Sequence, residues 1–355
     1  MLGTPSARAV FLFNDSNKQT VSPMDNPIYQ YLLALLKEHT ISDFHLHTGH
    51  PLTVRTHGEL RHFPDMPIRG EDLEALIKKE LPEDWYLRFE QTKDIDFAFV
   101  IGEQRFRASA FMTMEGAGLV LRVITAEIPN IEKLGLPPAA HSVLNLTEGL
   151  VLVTGATGSG KSTSLAAMID KINRTRRENI ITVEDPIEYV HTSLMSLISQ
   201  REVGKDTDSF AAALKGALRQ DPDIILMGEL RDYETVSMAL TAAETGHLVF
   251  GTLHTNGAPE TINRLVDVFP SEEQNKTRSQ LSMSLRMIMT QRLLKRKGGG
   301  RIGAFEVLVN TPAVSNLIRE NKIAQIGNMM ATGQRDGMIQ MDKYIELLKS
   351  KDLIE

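Results

Sequence analysis

Cysteine is absent from all 355 residues, which removes disulfides and thiolate metal sites and fits a reducing compartment. Long apolar runs are missing too. The patch at residues 9–13 is too short for a signal-peptide core or a membrane span, and no other window reaches spanning length without charges. A cytosolic protein is expected, reaching membranes only through partners. Positive charge is in deficit: 39 Lys+Arg against 45 Asp+Glu leave a formal charge of −6, which argues against a general nucleic-acid binder. Aromatics make up only 6% of the chain, and no aromatic–basic cluster suggests a platform for stacked bases.

What is present is ordinary for a globular protein, with 42% hydrophobic and 24% charged residues. The length exceeds the size at which one core stops growing, so two domains are expected. Residues 1–24 read as an extension of Ser, Asn, Pro and Gly, dispensable if Met24-Asp25 is a natural start. Apolar spacing predicts a helix over 26–37 and another over 71–79. Alternation predicts strands at 42–47, 52–55, 95–100, 105–112 and 119–124. This is an α+β domain over 25–130. Residues 131–148, opening in a proline-bearing stretch, read as a linker. Beyond it, short β-branched runs at 150–154, 180–183, 224–227 and 248–253 alternate with helical patterns, the signature of a buried parallel sheet. An α/β domain over 149–355 follows, mostly helical after residue 271 apart from a strand at 302–309. On that reading the methionines from Met283 to Met289 fill helix-packing gaps, and Leu293 to Lys297 form a helix end.

The sharpest motif is Gly155-Ala156-Thr157-Gly158-Ser159-Gly160-Lys161-Ser162-Thr163, set between a predicted strand and an amphipathic helix. The glycines let successive backbone N–H groups turn toward phosphates, and the helix N-terminus adds its dipole. Lys161 would meet the β- and γ-phosphates and Ser162 would meet Mg²⁺. ATP and Mg²⁺ are the expected ligands. Two acidic clusters end later strands, where open α/β sheets place ligands. Gly228 stands where a magnesium-holding Asp is usual. Glu184 must then supply much of the acidic environment for Mg²⁺; Glu229 is assigned as general base, with Glu184 and Asp185 organising metal and water and Glu188 close by. His254 leaves its strand at the end where a γ-phosphate sensor would sit, and His247 precedes the same strand.

These residues carry a family resemblance from Asp25 onward. The phosphate loop, Glu184-Asp185-Pro186-Ile187-Glu188, the Gly228-Glu229 ending, and the segments around His247 and His254-Thr255-Asn256 resemble the corresponding boxes of secretion ATPases. Within that superfamily the chain most resembles the retraction ATPases of type IV pili. The N-terminal domain is short, a cysteine-rich zinc element is absent, and Leu317-Ile318-Arg319-Glu320 resembles the C-terminal motif of that branch. The resemblance implies a PAS-like N-terminal domain, a RecA-like P-loop ATPase domain and a hexameric ring. It also implies that Arg107 and Arg122, with Arg105 nearby, bind phosphates, and that His247 lies in the nucleotide-binding set. The implied partners are an inner-membrane pilus platform protein and, indirectly, pilin, with no nucleic acid. The protein would sit peripherally at the inner face of the bacterial inner membrane. The competing readings are an ATPase of pilus assembly or type II/IV secretion, a nucleic-acid-stimulated RecA-type ATPase, and a nucleotide-dependent regulator without turnover. His45 and His47, at a spacing a metal could use, read as structural strand residues.

Overall fold

The computed structural model describes residues 26–56, 58–102, 104–124 and 127–355. The expected extension over 1–24, and with it the start at Met24-Asp25, lies outside them. The chain divides into two compact units, Met1–Val123 and Ile124–Glu355.

In the first unit, β1 (Asp43–His47), β2 (Pro51–Thr56), β3 (Glu59–Pro67), β4 (Asp94–Ile101), β5 (Gln104–Thr113) and β6 (Gly116–Ile124) form one sheet in the order β3-β2-β1-β6-β5-β4. Helix Pro27–Glu38 starts with Pro27 in its first turn, and the Asn26 side chain accepts from Ile28 N–H, which satisfies one orphan donor. Ile28, Tyr29, Leu32 and Leu35 on this helix are buried in one core with Phe44, Leu46, Phe106 and Leu121. β3 and helix Glu83–Thr92 were not predicted. β3 is exposed along most of its length and carries two prolines, and its apolar residues do not alternate regularly with polar ones. His45 and His47 do lie on one face of β1, yet among the described residues no three His, Asp or Glu side chains gather to hold a metal.

In the second unit, β7 (Gly149–Thr154), β8 (Asn179–Glu184), β9 (Leu197–Glu202), β10 (Ile224–Met227), β11 (Leu248–Leu253), β12 (Leu285–Lys295) and β13 (Arg301–Val309) form a sheet in the order β13-β12-β7-β11-β10-β8-β9. The pairs are parallel except β12 with β13. Alternate residues of a strand enter different cores. Leu150 and Leu152 join one with Ile225 and Val249, whereas Val151 and Val153 join another with Leu226 and Phe250. Both faces are thus covered, as a parallel sheet requires.

Two expectations are corrected here. The stretch 285–295 is a strand, so Met287 and Met289 are buried sheet residues and Leu293 and Leu294 pair with β13. With both faces covered, its apolar run carries no period by which strand and helix can be told apart. The stretch expected as a linker is folded. Helix Pro138–Ser142 lies within it, and Ile131, Leu136, Ala140 and Leu144 are buried in the core containing Val151. Among the described residues no helix is long and apolar enough to cross a membrane.

Phe250 is fully buried in the central strand β11. Phe250→Ala is expected to destabilise the second unit by about 3–5 kcal/mol, read as a lower urea midpoint with the first unit's transition unmoved.

Candidate functional site

The phosphate loop leaves the end of β7 and runs into helix Lys161–Thr175. Gly155, Gly158 and Gly160 all have positive φ, at 135°, 77° and 89°, a region open to glycine at little cost. At two of them space is also closed. A Cβ on Gly155 would lie 2.4 Å from the Gln291 carbonyl oxygen, and one on Gly160 would lie 2.8 Å from Gln291 Nε2. Gln291 belongs to β12 and accepts from Ser164 Oγ–H at 2.8 Å, so a strand far along the chain sets the loop's floor.

Lys161 is buried, and its Nζ donates to the carbonyls of Gly155 at 2.8 Å and Ala156 at 3.2 Å. Burial lowers its pKa, while the negative charges of Glu229 and Glu188 act the other way. Among the described residues the buried Ser159 hydroxyl oxygen has no hydrogen-bond partner. A glycine cradle, a folded-back ammonium and an orphaned hydroxyl in one loop fit an anionic oxygen ligand such as a phosphate.

Glu229 follows β10. Its Oε2 lies 2.6 Å from Arg231 Nη2 and 3.4 Å from His254 Nε2. His254 Nδ1 is 3.4 Å from Thr157 Oγ1 in the phosphate loop. The structure therefore brings together Lys161, Thr157, Glu229 and His254, which the sequence scatters over almost a hundred positions. Burial pushes the Glu229 carboxyl up, but Arg231 and His254 outweigh it, so the group is held below the ordinary glutamate range.

Ser162 and Glu184 line one small cleft with Tyr189, His191, Gly228 and Thr252. Gly228 has a steric reason to be glycine: a Cβ there would lie 3.1 Å from Val183 O and 3.2 Å from Glu184 Cα. An aspartate at that position would require the backbone of β8 to give way by a few tenths of an ångström. Asp185 is exposed and its charge acts on Arg231, so it does not share the cleft wall with Ser162 and Glu184.

His247 precedes β11 beside Gly149 at the start of β7, with Nδ1 3.0 Å from Ala242 O. The six residues of β7 separate it from the loop by roughly 20 Å. Arg122 and Arg107 belong to the first unit, where Arg122 Nε lies 2.9 Å from Asp43 Oδ1 and Arg107 Nη2 lies 3.9 Å from Asp96 Oδ2. Sequence reasoning missed Arg231 and Gln291. Arg231 had one available signal, its position two residues after an expected base; Gln291 had none, because its role exists only through strand pairing.

A phosphate loop on a parallel sheet, with a glutamate and a histidine brought to it from neighbouring strand ends, defines a P-loop ATPase. A family model described as type II/IV secretion system protein matches residues 79–298. The chain is 48% identical over 324 residues to the type IV pilus retraction ATPase PilT of Pseudomonas aeruginosa, covering 91% of this chain and 94% of that protein. It is also 48% identical to a twitching motility protein of Neisseria gonorrhoeae, covering 85% and 81% of the two chains. A crystal structure of the pilus retraction motor PilT with bound ADP superposes with a TM-score of 0.86 at 46% identity, over 92% of this chain and 94% of that one. The chain belongs to the type II/IV secretion ATPase family.

Arg231 is the chief group favouring the charged form of Glu229. In Arg231→Met the carboxyl should titrate at higher pH, so the acid limb of the kcat/KM profile for ATP moves toward neutrality. An unmoved limb would detach Glu229 from the rate.

Proposed function

We propose that this ATPase drives retraction of type IV pili, acting as a ring of six copies at the inner face of the bacterial inner membrane. The observation that carries the reading is likeness to a retraction ATPase along nearly the whole of both chains, so that both units are matched and not the phosphate loop alone. In this reading the first unit is PAS-like and the second RecA-like. The partners are an inner-membrane platform protein and, through it, pilin. Leu317–Glu320 supports the retraction branch; in this chain Ile318 is buried while Arg319 and Glu320 are exposed, so the motif's charges are presented at the surface.

The chemistry follows from the site. Lys161 and the loop N–H groups hold the β- and γ-phosphates of ATP. Ser162 and Glu184, two oxygen donors on one cleft wall, suit a hard cation, and Mg²⁺ held there would neutralise phosphate charge. Glu229, kept ionised by Arg231, accepts a proton from the attacking water. His254 sits between Glu229 and Thr157, where it can register the γ-phosphate. Arg107 and Arg122 enter the proposal as phosphate-binding cations.

Lys161→Ala should abolish nucleotide binding, measured with a fluorescent ADP analogue. Glu229→Gln should keep binding and lose about 10²-fold or more in turnover; wild-type turnover there would sink the base assignment. Direction is tested by deleting the gene in its native host. Abundant surface pili without twitching are expected, whereas bald cells would make the same motor one of assembly.

A further inference from the structure

The segment leaving β8, residues 185–191, is fastened by side chains of the edge strand β9. Glu202, only 4% exposed, accepts from Ile187 N–H at 3.1 Å. Gln200, two residues earlier and so on the same face of the strand, binds three ways. Its Oε1 accepts from His191 N–H at 2.7 Å, and its Nε2 donates to Tyr189 O at 2.8 Å and to Glu184 Oε1 at 3.2 Å. Gln200 is paired in register with Thr182, whose hydroxyl donates to the same Glu184 Oε1 at 2.7 Å. The Tyr189 hydroxyl lies 2.9 Å from Thr163 Oγ1, in the first turn of the helix that follows the phosphate loop.

A glutamine that only fastened the segment would need only its two backbone partners. The third bond goes to a carboxylate on the cleft wall beside Ser162. Rotation about the terminal torsion of a glutamate is broad, and two donors converging on one oxygen narrow it. The partners of a carboxylate that organises a metal or a water set its orientation as much as its own backbone does. Through Tyr189 the same glutamine is tied to the helix that carries Lys161 and Ser162.

We propose that Gln200 is a positioning residue for ATP hydrolysis, fixing the Glu184 carboxylate against the phosphate-loop helix. This rests on the reading of the chain as an ATPase in which Glu184 organises Mg²⁺ and water. It makes β9, a strand that touches no phosphate-loop residue through its own backbone ladder, part of the catalytic framework.

The test uses the full chain with Gln200→Glu and Gln200→Met, each alone and combined with Glu184→Gln. Gln200→Glu keeps an acceptor for His191 N–H and replaces the donor facing Glu184 with a carboxylate oxygen. Gln200→Met removes all three bonds. Both single variants are expected to lose about 10-fold or more in kcat, with melting temperature and Mg²⁺-free binding of mant-ADP close to wild type. The Mg²⁺ concentration at the midpoint of mant-ADP binding should rise in both, and in the Glu184→Gln background neither change should raise it further. Three results would overturn the role: wild-type kcat in both variants, a loss matched by a fall in melting temperature or in Mg²⁺-free binding, or a full additional shift in the Glu184→Gln background. Absence of ATP turnover in the wild-type chain would instead overturn the functional reading, and the positioning role with it.

Discussion

The site depends on the backbone ladder that holds β7 between β11 and β12. Thr154, the last residue of β7, is in register with Leu253 on one side and with Thr290 on the other, and its hydroxyl lies 2.8 Å from that of Thr290. From that rung the phosphate loop and His254 leave the sheet, while β12 runs on through Gln291 beneath the loop. A slip of one residue would exchange the two cores, turning Val151 and Val153 toward the face now filled by Leu150 and Leu152. Because both faces are buried, such a slip is strongly opposed, and the packing of the sheet is what aligns the chemical groups. Gly228 obeys the same constraint from the next strand, with its N–H donating to Val183 O at 2.7 Å and the backbone of β8 close against its Cα.

Electrostatics complete what the ladder places. Lys161 gives up water to sit in the loop, and without phosphate its ammonium is served by two carbonyls and by the negative charges of Glu188 and Glu229. An anion arriving there would meet the Lys161 ammonium and the loop's backbone donors gathered in one short segment. The Arg231–Glu229 pair is mostly solvent-exposed on the arginine side, so its contribution to folding is small. Its larger effect is on the ionisation of the carboxylate.

The parts that were legible in the sequence share a property: their meaning is local. The phosphate loop is one unbroken stretch, and its glycines and lysine act through their own backbone and the helix that follows. The strands 150–154, 180–183, 224–227 and 248–253 announced themselves by β-branched runs bounded by turns. Where meaning was distributed, reading stopped. β12 is apolar on both faces and carries no period. Four of the six residues of β9 are polar, Gln200 and Glu202 among them because they serve a loop rather than a core, so it resembled no strand template.

The sequence by itself determined that a phosphate loop lies between a buried strand and a helix, that acidic groups end later strands, and that the chain carries the boxes of the secretion ATPases. Only the tertiary structure decided which of those groups meet. It put His254 beside Glu229 and left His247 at the far end of the same strand, because a parallel β-strand carries its two ends to opposite edges of the sheet. It supplied Gln291 and Gln200 as partners, because hydrogen bonds between residues of different strands depend on strand order and register, which no local pattern encodes.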